Sequence, residues 1–237
     1  MEKKVSEKVQ EEILLRLRKT YPKAKIVLKY GSYWELLIAV ILSAQCTDII
    51  VNKVTEILFQ KYKTLDDYVN ANQSEFENDI KSTGFYRNKA KNILATAKII
   101  KEKYGGVVPN TMKDLLPLPG CARKTANIVL GNAYGVVEGI AVDTHVARIS
   151  QRLRLVDIGK IGGKRKRMIE KKGKQVIDFL KDADPNKIEL SLMKTLPKSE
   201  WFSFTYRVID HGRSICKAAN PLCGECVLSK LCPVSRV

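Results

Sequence analysis

Four cysteines close the chain, Cys216, Cys223, Cys226 and Cys232, in the pattern C-x6-C-x2-C-x5-C. Four thiolates at such short separations suit either a tetrahedral zinc ion or a 4Fe–4S cube, and spacing alone does not choose between them. The other two cysteines, Cys46 and Cys121, lie far away in apolar surroundings and read as packing residues. This distribution is that of a metal site in a reducing compartment rather than a disulfide framework.

A second constellation sits at Leu118-Pro119-Gly120-Cys121-Ala122-Arg123-Lys124-Thr125-Ala126, between two helical patterns. Pro and Gly force a tight turn, and the helix that follows starts with its first amides unpaired. Those N–H groups, the positive helix end and Arg123 together can hold a phosphate without reading base sequence. Lys124, in the first turn, is either a phosphate holder or an amine nucleophile. A nucleophilic amine must be neutral, and burial, the helix N-terminus and Arg123 all disfavour the ammonium form. Asp143, in Val142-Asp143-Thr144-His145, has two compatible readings of its own. It is a helix N-cap, or a proton acceptor that also stabilises positive charge developing on a substrate. A helix from Lys124 to Tyr134 spans about 16 Å. The return from Gly135 to Asp143 can then bring the carboxylate back beside the lysine.

The elements that must position these groups read as helices. Apolar residues recur with helical period over 4–19, Trp34–Ser43, Asp48–Tyr62, Leu65–Ala71, Gln73–Ser82, Tyr86–Tyr104 and Met112–Leu116. The pattern continues over Lys124–Tyr134, Thr144–Leu153, Lys164–Leu180, Pro185–Leu196 and Phe202–Ile215. No stretch sustains a two-residue alternation with hairpin signals, so the expected fold class is all-α. Lys160 to Lys174 is a compositional outlier, with eight Lys or Arg against a single Glu. It is either a solvated basic helix or a DNA-contacting element.

Bulk properties narrow the function classes. The 237 residues carry 42 Lys and Arg against 25 Asp and Glu, a net charge of +17 that favours polyanionic partners. The most apolar run, Leu36 to Ala44, is far shorter than the roughly 20 residues of a spanning helix. The basic N-terminus continues into an amphipathic pattern rather than a signal peptide, so a cytoplasmic, nucleoid-associated location and no membrane partner are expected.

In motif order and spacing the chain resembles the endonuclease III family of DNA glycosylases. The resemblance runs through Glu35-Leu36-Leu37-Ile38-Ala39-Val40 and Ser43-Ala44-Gln45-Cys46-Thr47-Asp48. It continues through the helix-hairpin-helix (about 113–134), the Gly/Pro-Asp loop from Gly135 to Asp143, Asp210-His211-Gly212-Arg213 and the cysteines. It implies a two-lobed fold, with a helical barrel lobe over 27–137 and an iron–sulfur lobe from 1–26 and 138–237. It implies a 4Fe–4S cluster on the four cysteines, structural rather than chemical in role. It also implies a monomeric DNA N-glycosylase and AP lyase of base excision repair. Such an enzyme acts on double-stranded DNA with a damaged base or abasic site, removes oxidised pyrimidines, and cuts 3′ to the abasic site by β-elimination. Lys124 would form the Schiff base, with Asp143 as its acid–base partner.

Gln45 and Phe85 correspond to the family's void-filling residues, although Leu is more usual where Phe85 stands; the alternative for Phe85 is packing at a helix start. Gly120, Ala122, Arg123, Thr125, His145, Arg148 and Lys217 are the further DNA-contact candidates, with Asp48, His145 and His211 equally readable as hydrogen-bonded structural residues. The chain also departs from the family. Ala122 replaces a second hairpin Gly, Lys217 to Leu222 holds one basic residue where relatives often have more, and Gly159 to Asp182 looks inserted. Lys164, Arg165, Lys166 and Arg167 in that insertion would then supply phosphate contacts. Competing readings are a pyrimidine-dimer glycosylase, an adenine mismatch glycosylase, and a non-catalytic iron–sulfur DNA-binding or electron-transfer protein.

Overall fold

The computed structural model describes residues 4–237, so the first three residues of the 1–26 segment lie outside it. Two compact units make up the chain. One is Ile26–Glu138, and the other joins the chain up to Lys25 with Gly139–Val237.

Helix α1 (Glu7–Thr20) belongs to the second unit and buries Ile13, Leu14 and Leu17. The Ile26–Glu138 unit is built round α2 (Tyr33–Leu42), which is buried from Leu36 to Leu42. A helix with no polar side must be enclosed, and α3 (Asp48–Lys61), α6 (Tyr86–Tyr104) and α8 (Arg123–Tyr134) all pack on it. The short α4 (Leu65–Val69) and α5 (Gln73–Asp79) lie on α6, and α7 (Met112–Leu115) precedes the turn into α8. Trp34, Tyr62, Tyr68 and Phe76 fill one end of this core mostly through edge-on ring contacts.

In the second unit α9 (Thr144–Arg152) packs on a later helix, Trp201–Ser214, which also meets α1. Pro185–Met193 is α10, with Pro at its start, and Trp201–Ser214 is α11. Ile13, Leu17, Val146, Ile149, Phe204 and Val208 form the centre of this core. No helix among the described residues is long and apolar enough to cross a membrane.

The chain is mostly helical, but the helix expected over Lys164–Leu180 is absent. That segment is an antiparallel hairpin of β1 (Lys166–Lys171) and β2 (Lys174–Leu180), paired from Lys171↔Lys174 to Lys166↔Leu180 with a bulge at Arg167/Met168. Lys172 (φ 50°) and Gly173 (φ 73°) make the two-residue turn that matches strand twist. Tertiary contacts decide this against the helical pattern. The Gln151 amide oxygen accepts from Leu180 N at 2.8 Å, and Arg154 donates to the Ile177 and Asp178 carbonyls. Side chains at and just beyond the end of α9 thereby satisfy β2 backbone groups that a two-stranded sheet leaves open. Gly163 (φ 90°) fixes the entry, since a Cβ there would lie 2.9 Å from the Ala183 nitrogen.

One buried ion pair ties the hairpin down. Asp178 accepts from Arg152 Nε and Nη2, both at 2.8 Å, with each side chain almost wholly enclosed. Removing one partner of such a pair strands a buried charge at a cost of about 3–5 kcal/mol. Asp178→Asn is therefore expected to lower stability to urea by about 3 kcal/mol; an unchanged unfolding midpoint would contradict this placement.

Candidate functional site

The turn between α7 and α8 owes its shape to Gly120. Its φ is 81°, which strains any L side chain, and a Cβ would crowd Asn92 Cβ at 3.2 Å and Ile41 Cγ2 at 3.4 Å. Thr96 Oγ1 donates to the Pro119 carbonyl at 2.9 Å, and Cys121 N closes on Leu118 O at 3.0 Å. Cys121 is buried, and that burial pushes its thiol up to about 12, as befits a packing residue. Ala122, whose Cβ the sequence left in question, has φ −76° and accepts it without strain. Ala122 precedes α8 and offers no side-chain acceptor, so the first amides of α8 keep their anion-binding capacity. Arg123 and Lys124 are half-buried in this first turn, whereas Thr125 is buried.

Asp143 is the N-cap of α9, its Oδ1 accepting from Val146 N at 2.8 Å. The cap uses one carboxylate oxygen and leaves the half-buried group anchored, not mobile. Two residues on, His145 meets Arg148 Nη2 at 3.2 Å through Nδ1, and Gly212 of α11 lies so close that a Cβ would strike the imidazole. The glycine of Asp210-His211-Gly212-Arg213 is thus a packing requirement. Arg148 is 8 % exposed and donates to the Cys216 carbonyl at 2.9 Å. Its guanidinium works inside the protein, where the sequence pointed to a pocket or phosphate contact.

All four C-terminal cysteines line one hollow, walled by apolar residues such as Ile149, Leu153 and Leu228. Arg152 Nη1 lies 3.3 Å from Cys216 Sγ and also donates to the Lys217 carbonyl at 2.8 Å, while Nη2 reaches the Ala218 carbonyl at 2.9 Å. His211 is buried, with Nδ1 3.0 Å from the Tyr21 hydroxyl and Nε2 3.6 Å from Cys226 Sγ. Burial and the charge of Arg148 push its imidazole down to about 4, so it is neutral at neutral pH. Burial likewise raises the Cys226 thiol and pushes Cys232 up to about 12, a penalty that a bound cation would offset. Four thiols lining one hollow are a donor set that suits a bound metal group. Lys217 itself is exposed at the start of the following loop.

Gln45 and Phe85 stand out by backbone. Both are non-glycine residues in the left-handed region, at φ 53° and 48°. Gln45 is exposed and Phe85 is 65 % exposed. Strain held on exposed side chains suits residues that act on a partner. The roles of Arg148 and Arg152 at Cys216, and of a buried Lys89, were missed from the sequence. The available signal was cations placed among the apolar positions of α9 and α6.

Residues 38–178 match the model of the HhH-GPD superfamily base excision DNA repair proteins. Endonuclease III of Synechocystis sp. is 47 % identical over 222 residues, which is 94 % of this chain and 90 % of that protein. Endonuclease III of Bacillus subtilis is 44 % identical over 212 residues, 90 % and 86 % of the two chains. A solved structure of a trapped endonuclease III–DNA covalent intermediate superposes with TM-score 0.83 at 41 % identity, covering 97 % of this chain and 96 % of that one. The chain therefore belongs to the HhH-GPD superfamily and, within it, to the endonuclease III family.

Backbone geometry at Phe85 can be tested by stability alone. Phe85→Gly relieves left-handed strain of about 1–2 kcal/mol against a glycine entropy cost of about 0.5–1 kcal/mol. F85G is expected to melt no lower than the parent, whereas a midpoint lower by several degrees would make the ring a packing residue.

Proposed function

We propose that this protein is a bifunctional DNA N-glycosylase and AP lyase of base excision repair, acting on duplex DNA that holds a damaged pyrimidine or an abasic site. The observation that carries this reading is the start of α8. There an uncapped helix N-terminus, Arg123 and the half-buried Lys124 gather on a glycine-pinned turn. Family membership and the covalent DNA intermediate trapped on a relative support it.

The amides of α8 and Arg123 would hold a phosphate beside the lesion, which orients the sugar without reading sequence. Lys124 Nζ then forms a bond to C1′ as the bond from C1′ to the base breaks, and the base departs with its electron pair and takes up a proton. Asp143, held by its cap bond to Val146, would stabilise the cationic sugar and accept a proton from the lysine nitrogen. The nitrogen lone pair then forms the C1′=N bond as the C1′–O4′ bond breaks and O4′ takes up a proton, which leaves a protonated imine at C1′. Loss of a C2′ proton then expels the 3′ phosphate and cuts the strand. Gln45 and Phe85 would occupy the space the extruded base leaves. Oxidised pyrimidines are the substrate class the family suggests.

Cys216, Cys223, Cys226 and Cys232 would hold a 4Fe–4S cluster that pins the loops around it. The purified protein should then absorb near 400 nm with about four irons per chain; one zinc per chain would refute this assignment.

Lys124→Ala is expected to abolish borohydride trapping of a covalent adduct with abasic DNA, together with strand nicking. Lys124→Gln should keep DNA binding without chemistry, and trapping by either variant would overturn the nucleophile's identity.

The basic hairpin gives a further outcome. Arg167 donates to the Ala219 carbonyl at 2.8 Å and pairs with Asp178, so its guanidinium is committed to contacts within the protein. Neutralising the exposed Lys164, Arg165 and Lys166 should lessen the salt slope of DNA binding, by about 0.9 for each phosphate no longer neutralised. An unchanged slope would mark these as merely solvated charges.

A further inference from the structure

Lys89 is a buried charge that the chemistry above does not use. It lies in α6 and is 5 % exposed, and burial holds its ammonium below the usual lysine range. Its Nζ donates to the carbonyls of Leu42 and Thr83, each at 2.8 Å. A cation enclosed this way is costly, and a methionine would fill the same space without that cost. Packing alone does not explain it.

The two acceptors explain it better. Leu42 is the last residue of α2, so its carbonyl has no partner further along the helix and carries the negative end of the helix dipole. Three residues later comes Gln45, on a turn closed by Ala44 N to Ile41 O and Cys46 N to Ser43 O. Thr83 ends a short 3-10 turn, and two residues later comes Phe85. The backbone N–H of Lys89 donates to the Phe85 carbonyl at 3.1 Å in the first turn of α6, so the side chain and Phe85 lie on the same helix start. One side chain therefore joins the two segments that carry the left-handed non-glycine residues Gln45 and Phe85, although they are distant in sequence. Each strained backbone needs surroundings that over-determine it, and a pair of charge-assisted hydrogen bonds from one nitrogen does this for both segments at once.

We propose that Lys89 is a positioning residue that locks the Gln45 and Phe85 loops together as a preorganised pair of probes for the duplex. The proposal rests on the reading above that these two side chains enter the DNA. Without the clamp each loop would relax from its left-handed turn, and DNA binding would have to restore the geometry at the expense of base extrusion. Lys89 touches neither the sugar nor the base; it acts through the two loops.

The test is single-turnover base excision from a duplex oligonucleotide bearing an oxidised pyrimidine, with a neighbouring 2-aminopurine to report unstacking by fluorescence. The parent holoenzyme is compared with K89M, K89R, Q45A, F85A, the double variant Q45A/F85A and the triple variant Q45A/F85A/K89M, with thermal melting as the check on folding. K89M should lose about tenfold in excision rate and in the amplitude of unstacking, a coupling within the usual range for residues in one network. K89R, which restores charged donors, should recover most of that loss. Added to Q45A/F85A, K89M should cost less than about twofold more, because its effect passes through those side chains.

If Q45A and F85A excise like the parent, the reading of the two side chains falls, and this proposal falls with it. If those variants lose activity and a folded K89M does not, the clamp alone is wrong. A full K89M loss on top of Q45A/F85A also overturns it, since the lysine would then act on the whole fold. Should K89M unfold, Lys89→Gln takes its place in the same comparison; if both unfold, Lys89 is a stability residue and the proposal fails.

Discussion

Irregular backbone can be enclosed only if its carbonyls find donors, and this chain supplies many of them from buried cations. Arg152 reaches the carbonyls of Lys217 and Ala218. Arg148 reaches that of Cys216, and Arg154 those of Ile177 and Asp178. In the other unit Lys89 does the same for Leu42 and Thr83. A guanidinium offers several donors in a fixed fork and stays charged, so a single side chain can hold a turn of loop that no helix or sheet would. Asp178 offsets the cost of this in the unit that contains Gly139–Val237 by pairing with Arg152 where both are out of water.

That constraint sorts the positive charge of the chain into two uses. Cations that face inward shape loops, and others lie at the surface or at a helix start. Arg167 and Arg148 belong to the first group despite their place in basic or motif-rich stretches. Lys164 and Lys217, both exposed, belong to the second, and the half-buried Lys124 sits at a helix start. The start of α8 has an alanine where a capping side chain is usual, whereas α9 begins with a capping aspartate. One helix start thus keeps its amides for a ligand, and the other fixes a carboxylate in place.

Features governed by local chemistry were legible in the sequence. The cysteine spacing, the Pro119-Gly120 turn, the helix after it and the capping position of Asp143 each depend on a few neighbouring residues. The hairpin at β1 and β2 was not legible, because Lys172-Gly173 lacks the usual Asn-Gly or Asp-Gly signature and the deciding partners, Gln151 and Arg154, come from another element. Inward-facing arginines escaped for the same reason, since Arg152 meets Cys216 only through the tertiary fold. The left-handed turns at Gln45 and Phe85 leave no compositional trace, as neither is a glycine. The motif order still pointed to both positions, through the resemblance rather than through the residues themselves.

The central claim is that Lys124 forms the bond to the sugar. Proteolysis and tandem mass spectrometry of the parent protein, after borohydride reduction on abasic DNA, locate that bond directly. The account predicts a deoxyribose remnant on Lys124 in the peptide following Arg123, with cleavage after Lys124 blocked. A remnant on any other lysine, or on the α-amino group, would contradict it.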